Sequence, residues 1–120
     1  MHKILFYKDK KGKRPVADYL TKLSTKTDKD SRIKFNKYND YIQSLSEYGT
    51  LIGEPYIKHV EGELWELRPI NERAFFVAWT GGSFVFLHHF VKKTQKTPVR
   101  EIEKARRELA DLKERGLDDG

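Results

Sequence analysis

The segment from Leu64 to Lys93, LWELRPINERAFFVAWTGGSFVFLHHFVKK, leaves little freedom in how the chain can fold. Residues 64–68, 73–80 and 83–91 alternate in polarity and are rich in aromatic and β-branched side chains, which predicts three consecutive antiparallel strands. Residues 69–72 and the pair Gly81-Gly82 separate them. The first reads as a four-residue hairpin loop, and the second as a two-residue turn that demands φ > 0. Loop lengths then set register. Glu66 is expected opposite Phe75, Phe75 opposite His88, Arg73 opposite Phe90, Val77 opposite Phe86 and Trp79 opposite Phe84.

Cross-strand partners share a face. One face is therefore expected to carry Glu66, Arg68, Arg73, Phe75, His88 and Lys92. The other is expected to carry Trp65, Leu67, Ala74, Phe76, Ala78, Val85, Leu87 and Val91, with almost nothing polar. The first face gathers a carboxylate, an imidazole, two guanidiniums and an ammonium in a small area. Three phenylalanines, Phe84, Phe86 and Phe90, also fall on it and imply that part of it is covered by a loop, a partner or a second copy.

The remaining segments are read around this sheet. Residues 2–8 are a short strand candidate. Pro15 suits a first helical turn, and Val16, Tyr19, Leu20 and Leu23 make one apolar stripe. After a polar break at 24–27, a helix is predicted over 28–48, with Ile33, Phe35, Tyr38, Tyr41, Ile42 and Leu45 at helical spacing and Gly49 as its stop. Residues 56–60 can form a fourth strand. Thr97 is a plausible N-cap, with Pro98 opening a last helix to about residue 115 that turns Ile102, Ala105, Leu109 and Leu112 inward. Residues 117–120 are expected to fray. The expected class is α+β in one domain over 1–120, with helices on the apolar sheet face and the polar face open.

Composition narrows the function classes. No apolar run approaches the roughly 20 residues of a membrane helix, and the N-terminal apolar segment is too short for a signal peptide; a cytoplasmic protein is expected. The chain has no cysteine, which excludes disulfides, thiolate catalysis and cysteine zinc sites. The net charge is +6, and residues 92–107 hold seven basic residues against two acidic ones. Such a balance favours a polyanionic partner.

The order of elements, the run Leu64-Trp65-Glu66-Leu67-Arg68, then Arg73, then LHHFVKKTQKTP from Leu87 to Pro98 resemble the HigB-type toxins of the RelE/ParE superfamily, in particular their phage-derived branch. The resemblance covers nearly the whole chain. It implies a RelE-like fold and a small toxin of a type II toxin–antitoxin pair that cleaves mRNA on the translating ribosome. The implied partners are a HigA-type helix-turn-helix antitoxin, mRNA and the ribosome, with operator DNA reached only through the antitoxin, no membrane and no cofactor. The family's basic active-site residues fall at Arg68, Arg73 and Lys92 or Lys93. Glu66 stands where many relatives have a lysine, and the C-terminal catalytic tyrosine of some relatives has no counterpart, since no tyrosine follows Tyr56.

The chemistry is consistent with those residues. Metal-free RNA cleavage needs a base for the 2′-hydroxyl, cations for the phosphorane and an acid for the leaving 5′-oxygen. Arg68 and Arg73 can fork onto phosphate oxygens, and Lys92 and Lys93 add charge at a strand end. Glu66 is the first candidate for the base and His88 for the acid; a lysine with a depressed pKa can fill either role. Phe75 is a candidate platform for a splayed base, and Lys58 and Lys96 are candidate RNA contacts. His88 and His89, pointing to opposite faces, make no metal site. A plainer reading runs alongside: Glu66, Arg68 and Arg73 as a surface salt-bridge cluster, His88 as a half-buried polar group and Lys92 and Lys93 as a solvated turn. A gyrase-poisoning toxin of the ParE kind shares the fold and is the alternative function.

Overall fold

In chain order the elements are β1 (Ile4–Phe6), α1 (Pro15–Thr25), α2 (Lys29–Tyr48), β2 (Ile57–Glu61), β3 (Leu64–Leu67), β4 (Glu72–Ala78), β5 (Phe84–Val91) and α3 (Val99–Arg115) in a computed structural model that describes residues 1–117. The chain end expected to fray falls, past Leu117, outside the described residues. The class is α+β as expected. A five-stranded mixed sheet runs in the order β1-β5-β4-β3-β2, with β1 parallel to β5 and every other pair antiparallel. Among the described residues no helix is long and apolar enough to cross a membrane.

Local chemistry explains the helix ends. Asp28 caps α2 by accepting a hydrogen bond from Ser31 N at 3.0 Å. Gly49 ends it at φ +65°, a conformation that favours glycine, and a Cβ there would sit 2.8 Å from His2 Nε2 and have to push that ring aside. Val16, Leu20 and Leu23 of α1 and Tyr38 and Leu45 of α2 are buried against the sheet, whereas Ile33, assigned to the same stripe by spacing, lies on the exposed side.

The register holds at the open end of the hairpin and shifts near the turn. Glu66 pairs with Phe75, Phe75 with His88 and Arg73 with Phe90, as counted. The turn after β4 is longer than two residues: Trp79 N donates to Ser83 O, and residues 80–82 form a 3₁₀ turn with Gly81 and Gly82 at positive φ. Val77 therefore faces Val85, and Ala78 faces Phe84. A bulge between Phe75 and Phe76 absorbs the difference, leaving Leu87 as the extra residue on β5. That one residue reverses the facing of everything before it. Phe84 and Phe86 join the α1/α2 side, while Val85 and Leu87 move to the opposite side with Phe75 and Phe90. The two phenylalanines that looked misplaced on a polar face are thus core residues.

The second face is not open. The helix α3 lies across it, burying Ala105 and Leu112 against Leu64, Phe75, Val77, Val85 and Leu87. Tyr7 OH fastens the helix by donating to Asp111 at 2.6 Å, and burial with this carboxylate pushes the phenol up to about 12. Surface pairs Arg106–Glu61 and Lys113–Glu63 flank the contact. Exposed pairs are typically worth under about 1 kcal/mol, against about 1.5–3 kcal/mol for each fully buried Leu or Phe. The apolar stripe therefore decides where α3 docks. The expectation of helices on one face only is corrected: an amphipathic helix needs an apolar surface, and the bulge enlarges the one available.

At the far end of β4, Glu72 is 1% exposed and anchors both first helices. Tyr19 OH donates to it at 2.7 Å, Tyr38 OH at 3.1 Å, and Lys34 Nζ lies 3.3 Å away. This network holds the start of β4, and so the next residue, Arg73.

A cationic cleft at the end of the hairpin

Where β3 turns into β4 and β5 runs out toward α3, a cleft of about 610 Å³ is lined by Arg68, Ile70, Asn71, Arg73, Lys92 and Lys93, with Thr94 and Gln95 at its edge. A second lobe of about 290 Å³ adjoins it through Lys92 and Gln95 and adds Lys58, Glu66, Lys96 and Thr97. Six of the basic residues singled out from sequence therefore meet in one place: Lys58, Arg68, Arg73, Lys92, Lys93 and Lys96.

Backbone pairing sets their positions. Lys92 N donates to Asn71 O at 2.8 Å, so the end of β5 is held beside the β3–β4 turn. Arg73 braces that turn from within, donating from Nη1 to Ile70 O at 3.1 Å and to Glu72 O at 2.7 Å. Arg68 donates to Glu54 at 2.9 Å on its solvent side. Both guanidiniums also approach one carboxylate, Arg68 Nε at 3.3 Å and Arg73 Nε at 3.6 Å from Glu66 Oε2. Neither Nε makes a hydrogen bond there.

Glu66 itself is 2% exposed, and its other oxygen accepts a hydrogen bond from Thr97 Oγ1 at 3.1 Å. This bears on two expectations. A carboxylate occupied by two arginines and a threonine orients those cations and is poorly placed to take a proton as a free base. Thr97 does not cap α3, whose N-cap is Pro98; its hydroxyl is spent on Glu66. Replacing Thr97 with valine leaves Glu66 Oε1 without this donor in a buried setting, and a loss of about 1–2 kcal/mol in unfolding free energy is expected by urea titration.

Two further candidates are displaced by α3. His88 is buried, and its Nε2 lies 2.7 Å from Glu101 Oε1 of that helix. Burial lowers its pKa, with the Glu101 hydrogen bond opposing the shift. It lines neither lobe, and its contact with Glu101 ties β5 to α3. Phe75 is fully buried among Leu64, Val77, Leu87 and Phe90 and cannot stack on a base. His88 and His89 do point to opposite sides: the His89 ring stacks on Tyr19 of α1 at 4.1 Å between centroids.

The electrostatics follow from crowding. Burial, then Arg73, Arg68 and Lys58 nearby, hold the Lys92 ammonium below the usual lysine range, with Glu66 opposing. Burial and Arg68 likewise lower Arg73. Among the described residues no ion pair engages Lys92 or Lys93. One buried carboxylate faces several cations, and the imbalance calls for an anion. The sequence reading missed Thr97 and Ile70 as parts of this cleft; a threonine beside a basic run and an isoleucine in a turn carry little signal alone.

The family model described as "Phage derived protein Gp49-like" matches residues 18–110, a span that runs from α1 into α3 and includes every residue lining both lobes. No curated protein matches the chain.

Proposed function

The chain belongs to the Gp49-like, phage-derived protein family, a family of RelE/HigB-like toxins, and from that premise and the cationic cleft we propose that it is the toxin of a toxin–antitoxin pair that cleaves mRNA on the translating ribosome. The observation that carries this reading is the convergence of Arg68, Arg73, Lys92 and Lys93 on one solvent-filled cleft, with a single buried carboxylate fixing the two arginines. A cluster built only as a structural ion pair has no need of a cleft or of unpaired lysines.

In this reading the guanidiniums bind the scissile phosphate and offset the charge that develops on its oxygens when the 2′-hydroxyl attacks. Lys92 carries the proton from the 2′-hydroxyl to the departing 5′-oxygen; burial and the neighbouring cations lower its pKa from the ordinary lysine value. Proton removal from the 2′-hydroxyl and protonation of the departing 5′-oxygen yield a 2′,3′-cyclic phosphate and a free 5′-hydroxyl. Lys93 neutralises an adjacent phosphate, and Lys58 and Lys96 extend the track along the second lobe. The partners are a HigA-type antitoxin, mRNA and the ribosome, with operator DNA engaged through the antitoxin.

Lys93 gives the cleanest test because it is exposed and unpaired, so its replacement leaves the fold intact. Mapping transcript 5′ ends after induction is expected to reveal new ends within codons. Lys93→Ala should reduce them about tenfold with no change in melting temperature. DNA breaks with intact transcripts would instead point to gyrase poisoning and overturn the nuclease reading.

A further inference from the structure

Among the residues lining the larger lobe, Ile70 is the one apolar side chain. It is 49% exposed and the only non-glycine residue described at positive φ, +57°. A β-branched residue in the left-handed region is strained by about 1–2 kcal/mol, and glycine, asparagine or aspartate fill such turn positions without that cost. The surroundings hold the strain in place: Arg73 Nη1 grips the Ile70 carbonyl, and Glu72 N donates to Pro69 O at 3.0 Å. The side chain receives nothing in return from the core, since it belongs to neither apolar cluster.

We propose that Ile70 contacts the face of an unpaired nucleobase beside the phosphate held by Arg68 and Arg73, so that the cleft takes single-stranded nucleic acid rather than any polyanion. A ligand recognised by charge alone gains nothing from an aliphatic group among four cations. A single strand presents both parts: a phosphate for the guanidiniums and, one sugar away, an apolar base face that water hydrates poorly. With Phe75 buried, no aromatic ring lines the larger lobe among the described residues, and Ile70 is the apolar group there that can cover that face. This inference rests on the RNA-binding reading above.

The test uses two short strands of equal length, both 2′-O-methylated to block cleavage, one with bases and one abasic. Wild-type protein is expected to bind the base-bearing strand about fivefold more tightly. Ile70→Asn, which suits the left-handed turn, should raise the melting temperature and bring the two affinities together. Lys93→Ala should weaken both strands equally. If Ile70→Asn leaves the preference for bases intact, or weakens both strands alike, the inference fails while the RNA reading stands. If wild-type protein binds neither strand, or Lys93→Ala weakens neither, the RNA reading fails with it.

Discussion

Arg73→Ala is expected to lower RNA cleavage by about 100-fold or more and to end growth arrest on induction, the usual cost of deleting one preorganised donor to a developing oxyanion. The position is more demanding than a phosphate contact alone. Arg73 is 8% exposed, holds the turn through Ile70 O and Glu72 O, and shares Glu66 with Arg68. Alanine releases the turn and leaves a buried carboxylate with one guanidinium in place of two, so stability should fall by about 1–3 kcal/mol. Loss of activity in that variant therefore has two sources. Arg73→Lys separates them. It keeps a cation near Glu66 but cannot fork onto the phosphate or reach two carbonyls. Cleavage is expected to fall at least about tenfold while the melting temperature stays within a few degrees. Single-turnover cleavage on programmed ribosomes, paired with thermal melts, reads both effects. A lysine variant that cleaves at the wild-type rate would remove Arg73 from the chemistry.

The parts of this site that sequence reasoning reached are those fixed by short-range geometry. Counting by twos from a four-residue loop correctly set Glu66 against Phe75, and that registration brings Arg68 and Arg73 to one corner. It failed where a turn could close in more than one way. Gly81-Gly82 satisfies a two-residue hairpin as well as the observed turn, in which Trp79 pairs with Ser83, and nothing local separates the two. The one-residue difference became a bulge at Leu87 and exchanged the faces of Phe84, Val85, Phe86 and Leu87. The partners of Glu66 and His88 were not legible for a different reason. Thr97 and Glu101 arrive with a helix from later in the chain, and no periodicity in the strands announces it. Charge convergence was legible, and which charges are already satisfied was not.

The same helix carries the second large effect. Glu108→Gln is expected to stabilise the protein by about 1–3 kcal/mol near pH 7 and above, and to do nothing below about pH 4. Glu108 is 9% exposed on α3, beside a cleft between that helix and the connection from β1 to α1, and its Oε1 has no hydrogen-bond partner. Burial, aided by Asp9 and opposed by Lys104 and Arg107, raises its pKa from 4.5 to about 8. At pH 7 the unfolded chain carries this carboxyl ionised and the folded chain holds its proton. Stability is thus lost progressively as pH rises from about 4.5 and is fully lost above about 8. Glutamine keeps the shape and stays neutral in both states, so it removes that slope without removing packing. Melting temperatures of the two proteins should coincide at low pH and separate by several degrees at pH 8. Equal melting temperatures at pH 8 would mean that Glu108 is ionised in the fold and paired with Lys104 or Arg107, contrary to the buried, neutral carboxyl that its surroundings require.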